Sequence, residues 1–188
     1  MSAREQHLGT MIGQGAHVYN IDSCIADLIK RSQATASIFS KVDPCIRYNL
    51  FKTYCMSLYG CVLWDFSSDH VKDVYTAWRK SIRSLLRLPW RAHSKLLPVI
   101  CRDMPVDAQI HSRFLNFFRS IYLSDNTILR TCCKLVLNGS MSTVCNSINF
   151  ICNKYHLCKF NIHHFMPRDL QTSRTHTISN SLSLKEKF

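Results

Sequence analysis

The sequence predicts a mainly α-helical chain, a bundle of about six helices with a short irregular or extended N-terminal segment and a disordered C-terminal tail. Three observations carry that prediction. Apolar residues recur three and four positions apart in successive segments from Ile21 to Tyr155. Capping residues and prolines mark the boundaries of those segments, at Asp43-Pro44, Ser67-Ser68-Asp69, Leu88-Pro89, Pro105 and Asn126. Glycine is scarce, and Gly9, Gly13 and Gly15 crowd into the first 20 residues. With 188 residues, 46% of them hydrophobic, the chain is long enough to bury a core.

Residues 1–20 read as short extended pieces and turns. Gly13-Gln14-Gly15 lacks the strand-to-helix context and the third glycine of a phosphate-binding loop. From Asp22 the pattern turns helical: Ile21, Ile25, Leu28 and Ile29 share a face, and Asp22 or Ser23 can accept a first-turn N–H. This helix should fade before Val42-Asp43-Pro44. Asp43 then caps a second helix with Pro44 at its first position, and Ile46, Leu50, Phe51, Tyr54, Cys55 and Leu58 give it an apolar face. Tyr59-Gly60 interrupts it.

Ser67, Ser68 or Asp69 caps the next helix, which is expected to end at Leu88 before Pro89. On a wheel of 100° per residue starting at Lys72, Val71, Val74, Tyr75, Trp78, Ile82, Leu85 and Leu86 fall between about 200° and 320°. Lys72, Arg79, Lys80, Arg83 and Arg87 fall between about 340° and 80° on the same wheel. That second stripe reads as free of acids, whereas a face laced with ion pairs would mix signs. Arg91, His93 and Lys95 extend the basic run beyond the proline.

A short helix follows over Ser94–Cys101, then a stronger one from Pro105 with Val106, Ile110, Phe114, Phe117 and Ile121 inward and Leu115 and Phe118 widening the stripe. Asn126 to Leu137 forms another, with Ile128, Leu129, Cys132, Cys133 and Val136 apolar, ended by Asn138-Gly139. Ser142 opens the last, through Val144, Ile148, Ile151, Cys152 and Tyr155. Beyond about Pro167 the chain is rich in Ser, Thr, Asn and Lys, the composition of a disordered tail.

Charge is one-sided, 24 Lys and Arg against 12 Asp and Glu, which favours a polyanionic partner through steering and counterion release. The start has no apolar signal core, and no run approaches the ~18 apolar residues of a membrane span. The compartment is therefore expected to be intracellular and reducing. Most of Cys24, Cys45, Cys55, Cys61, Cys101, Cys132, Cys133 and Cys145 are expected as small buried hydrophobes.

The run LFKTYCMSLYGCVLWDF, Leu50 to Phe66, resembles the segment that follows the palm in reverse transcriptases of jockey/CR1-like non-LTR retrotransposons. WRKSIRSLLRLP at Trp78 to Pro89, HSKLLP at His93 to Pro98 and RFLNFF at Arg113 to Phe118 continue the resemblance in order. His7-Leu8-Gly9 with Ile12 is similar to the piece that closes the family's palm. The resemblance covers about residues 7 to 165, and Leu50 to Pro98 is its specific part. It implies that residues 1–20 are the end of a palm, 21–98 a thumb-like helical region, 99–165 a helical connection and 166–188 a tail.

In that family this region grips the RNA template and the DNA strand. The basic stripe of Lys72, Arg79, Lys80, Arg83 and Arg87, with Arg91 and Lys95, is thus expected to track phosphates without reading bases. The polymerase needs paired aspartates for its two divalent metals, and this chain has no Asp-Asp pair. No catalytic residue and no cofactor is therefore expected here, and the fingers and most of the palm would lie upstream of Met1. A missing palm is a further expected partner; a membrane is not. The alternative is an orphan helical protein-interaction module with no nucleic-acid role.

A metal site has weak candidates in Cys152, Cys158, His163 and His164. Residue types suit zinc, but the five-residue gap between the cysteines exceeds the usual two to four. His7, His17, His70, His93, His111, His156 and His176 have no carboxylate pattern that singles one out, and each is expected on the surface or at a cap.

Overall fold

The computed structural model describes residues 5–7, 10–12, 16–139 and 142–158. The expected mainly helical class is observed. An antiparallel pair of short strands, β1 (Glu5–His7) and β2 (Thr10–Ile12), precedes α1 (Ala16–Ile38) and α2 (Pro44–Tyr54). Then come α3 (Asp69–Leu85), α4 (Leu97–Cys101), α5 (Val106–Tyr122), α6 (Thr127–Leu137) and α7 (Thr143–Tyr155), with 3₁₀ turns at Cys61–Leu63 and Ser94–Leu96. The described chain divides into two compact units, one of residues 1–64 and 68–107 and one of 65–67 and 108 onward. No helix among the described residues is long and apolar enough to cross a membrane. The expected disordered tail lies outside the described residues.

In the first unit α1 begins six residues before the expected start, and Asp22 and Ser23 sit exposed within it rather than capping it. The reason is tertiary. The Asn20 amide accepts from the Met11 N–H and donates to the Met11 carbonyl, both at 2.9 Å, so the strand pair pins the first turns of the helix. The buried face of α1 runs through Ile21 and Leu28, as expected, then through the small polar residues Ser32 and Thr35. Ser32 donates to Ser81 Oγ at 3.1 Å, and Thr35 Oγ1 lies 3.5 Å from Cys55 Sγ. Small side chains on both sides let α1 and α3 approach closely, and this pair is the principal packing of the unit.

Asp43 caps α2 as expected, its Oδ1 accepting from the Cys45 N–H at 2.8 Å with Pro44 following. The expected apolar face of α2 is only half correct. Phe51, Cys55 and Leu58 are buried, but Ile46 and Tyr54 are exposed and Arg47 and Tyr48 are buried in their place. Arg47 points inward because three backbone carbonyls await it: Nη1 donates to Leu85 at 2.7 Å, and Nη2 to Ser40 at 2.9 Å and Val42 at 2.7 Å. The α2 exit turns at Gly60, whose φ of 76° suits glycine.

In the second unit Phe66 stands edge-on to His111 and Phe114, with ring centroids 5.0 and 5.2 Å apart. The Phe66 N–H donates to Ser147 Oγ of α7 at 3.2 Å, which ties the Asp65–Ser67 turn to that helix. Ile110, Phe114, Leu115 and Phe118 of α5 are buried as expected, and so are Ile148, Ile151, Cys152 and Tyr155 of α7. His111 corrects the surface-or-cap expectation: it is fully buried, with Nδ1 2.9 Å from the Tyr155 hydroxyl. Asn126 and Ser142 cap α6 and α7. On α6 the expected face is another correction, since Ile128, Leu129 and Cys132 are exposed and only Cys133 and Leu137 are buried.

All ten cysteines are free thiols. Of the eight expected as buried hydrophobes, Cys55, Cys61, Cys133 and Cys145 are buried, Cys24 and Cys101 are half-buried, and Cys45 and Cys132 are exposed. Helix edges at Cys45 and Cys132 face solvent, where a thiol has nothing to pack against.

Candidate nucleic-acid interface

α3 carries the site. Ser68 Oγ accepts from the His70 N–H at 3.4 Å and starts the helix, and Val71, Val74, Ala77, Trp78, Ser81, Ile82 and Leu85 bury one face. Tyr75 and Leu86 lie at the margin, half-buried. The helix stops at Leu85 rather than the expected Leu88. The Leu88 N–H turns back to the Arg83 carbonyl at 2.8 Å and the Arg87 N–H to Ser84 at 3.2 Å, a Schellman closure with Arg87 at φ 53° where glycine is usual. Pro89 then blocks any continuation.

The basic residues divide into three kinds. Lys72 is an ion-pair partner of Asp69 one turn earlier, and that hydrogen bond holds the Asp69 carboxyl below the usual carboxylate range. Asp69 therefore corrects the expectation of an acid-free stripe at its N-terminal end. Arg83 and Arg87 are partly committed to the backbone. Arg83 donates from Nε and Nη2 to the Ala92 carbonyl at 3.1 and 2.9 Å and from Nη2 to Ser94 Oγ at 2.7 Å. Arg87 donates to the Ser40 carbonyl at 3.1 Å. Lys80, Arg91 and Lys95 are exposed, and half-buried Arg79 donates to Thr76 Oγ1 at 2.9 Å.

Arg83 has the largest geometric consequence. By holding Ala92 and Ser94 it ties the loop after Pro89, which carries Arg91, His93 and Lys95, to the polar side of α3 at Arg83. His93 is a cap, as expected, its Nδ1 accepting from the Lys95 N–H at 3.3 Å. From Thr76 to Arg102 the sequence contains no Asp or Glu. None of Arg79, Lys80, Arg83, Arg87, Arg91 and Lys95 is in an ion pair among the described residues. Unneutralised charge concentrated on one face is what a phosphate backbone requires.

No family model matches the chain, and no curated protein and no solved structure matches it either.

Two other features of the first unit are candidates for chemistry. A cleft of about 250 Å³ is lined by Thr10, Tyr19, Asn20, Asp27, Arg31 and Tyr59 among others. Arg31 is held there by Asp27 at 3.2 Å, and Asn20 by Met11, so its polar groups serve the fold. The second is a titratable cluster in which Asp103 Oδ2 accepts from the Tyr48 hydroxyl at 3.0 Å and from Lys52 Nζ at 2.6 Å. Burial and the Asp103 charge push the Tyr48 phenol up, and burial pushes the Cys101 thiol up to about 11. Both stay protonated near neutrality, so the cluster offers no activated nucleophile.

Of the metal candidates, Cys152 is buried in α7 and Cys158 is exposed, while His163 and His164 lie outside the described residues. Among the described residues no group of three or more His, Cys, Asp or Glu is placed to hold an ion.

Proposed function

We propose that this chain binds the sugar-phosphate backbone of RNA and DNA, as a thumb-and-connection unit related to non-LTR retrotransposon reverse transcriptases, and does not itself extend a strand. The observation that carries the reading is the Arg83 clamp, which ties the loop that carries Arg91 and Lys95 to α3, whose Arg79 and Lys80 belong to the basic face, in a stretch without Asp or Glu. Such a face attracts phosphate from any sequence, the requirement of a protein that must slide along its strand. The ordered resemblance over Leu50 to Pro98 supplies the family context, and the absence of an Asp-Asp pair removes the polymerase metals from this chain.

A salt titration against an RNA–DNA hybrid tests it. If five cations contact phosphates, log affinity falls with log salt with a slope of about −4 to −5, and each Lys→Glu change lowers that slope by at least about 1. Lys80→Glu with Lys95→Glu is the better pair to test, because neither side chain makes a hydrogen bond or ion pair among the described residues. Arg83→Glu would also release the loop. Absence of binding at low salt rejects the reading.

One observation favours a helical protein-interaction module instead: Leu96, Val99 and Ile100 are exposed close together in the 3₁₀ turn and α4. Under that reading Val99→Asp abolishes partner binding while the Lys80 and Lys95 changes do nothing.

A further inference from the structure

Trp90 is 78% exposed, the most exposed of the large hydrophobic side chains among the described residues, although the Arg91 guanidinium lies 4.8 Å from its ring centroid. An isolated exposed indole is costly to leave in water, and its position here is specific. It follows Pro89 at the mouth of the loop that Arg83 holds against α3, with Arg87 before it and Arg91, His93 and Lys95 after it. A planar aromatic ring, one guanidinium over it and basic neighbours along the chain with no Asp or Glu among them make the combination that holds an unpaired nucleobase, the ring taking the base and the cations the flanking phosphates.

We infer that Trp90 is a stacking platform for single-stranded nucleic acid, where a base that has left a duplex or not yet entered one is held next to the basic face. The inference rests on the proposed backbone binding and adds to it a substrate state, unpaired bases, that the charged residues alone do not distinguish. Duplex bases are stacked on one another and present their edges and phosphates, so an exposed indole gains little from them. Thymine, adenine and the other bases all offer a π-face, and the platform discriminates strand state rather than sequence.

The other two tryptophans, Trp64 and Trp78, are each 2% exposed, so a base bound at the surface quenches Trp90 by contact and not these two, and the quenched part of the emission is read against the Trp90→Phe chain. The full chain is titrated with oligothymidylate of about 12 nucleotides, an abasic phosphodiester backbone of equal length, and a fully paired RNA–DNA hybrid. Oligothymidylate is expected to quench the emission, and Trp90→Ala to weaken its binding about 5- to 100-fold. The same change should leave the abasic backbone and the hybrid within about twofold, and Trp90→Phe should restore most of the oligothymidylate affinity. Unchanged oligothymidylate binding by Trp90→Ala, or an equal loss for the abasic backbone, overturns the platform while backbone binding stands. A Trp90-dependent gain for oligothymidylate without hybrid binding supports the platform and rejects the hybrid as partner. No binding of any of the three by the unaltered chain overturns both.

Discussion

Arg47 Nη1 donates to the Leu85 carbonyl at 2.7 Å, so a buried cation on α2 closes the C-terminal end of α3. Leu85 is the last residue of that helix, and its carbonyl is one of those a helix end leaves without an intrahelical partner. The same guanidinium takes the Ser40 and Val42 carbonyls, and a cation at a helix C-terminus also opposes the helix dipole. Arg47→Met nearly keeps the volume but takes the guanidinium from the Leu85 and Val42 carbonyls and leaves Ser40 with the Arg87 bond alone, and should cost about 2 to 4 kcal/mol. Denaturant midpoints measure this, and Arg47→Lys should recover little because an ammonium cannot fork across three carbonyls.

Arg87 occupies a left-handed position that costs an L-residue about 1 to 2 kcal/mol. Arg87→Gly relieves that strain and gives up one exposed bond to Ser40. Stability should hold or rise by up to about 1 kcal/mol. On the proposed function the salt slope for the RNA–DNA hybrid should fall by about 1 at the same time. A stability gain with an unchanged slope would remove Arg87 from the interface.

The Cys101 thiol is raised by burial from 9.0 to about 11, with the Asp103 charge adding to the rise. The folded state therefore holds a proton that the unfolded chain releases at lower pH. This contribution to stability is complete below about pH 9 and is lost as pH climbs toward 11. Burial raises Cys55 and Cys133 in the same direction. Melting temperature should thus fall above about pH 8.5, and Cys101→Ala should make that decline shallower.

The Tyr155 hydroxyl sits 2.9 Å from His111 Nδ1 inside the second unit, where neither residue reaches solvent. Tyr155→Phe keeps the ring packing and removes the hydrogen bond, at a cost of about 1 to 2 kcal/mol. A loss confined to the second unit would show in hydrogen exchange as faster exchange in α5 and α7 with α1 and α3 unchanged.

Gly60 has φ 76°, and a Cβ there would stand 3.3 Å from Thr10 Oγ1. Gly60→Ala should destabilise the first unit by about 1 to 2 kcal/mol, read from thermal melts.

The sequence by itself determined the helical class, most boundaries and the apolar side of α3. Those follow from local rules: a capping Asp43 before Pro44, Ser68 ahead of a periodic run, Pro89 beyond an end, Gly139 after another. The strand pair and the start of α1 were legible only as an irregular segment, because Asn20 binding Met11 is a contact of tertiary origin. The inward turn of Arg47 and Tyr48 was hidden for the same reason. Periodicity sorts residues by hydrophobicity, whereas these two are buried by carbonyls and a carboxylate that other segments supply. His111 gave no signal either, since the Tyr155 hydroxyl it meets in the interior comes from α7. For the basic face, sequence chose the residues and tertiary structure ranked them. Charge alone made Lys72, Arg83 and Lys80 equivalent. Asp69 neutralises the first, the Ala92 and Ser94 oxygens engage the second, and only the third projects unengaged into solvent. A side chain's charge is written in its letter, but what already holds that charge is decided by neighbours the fold brings within 3 Å.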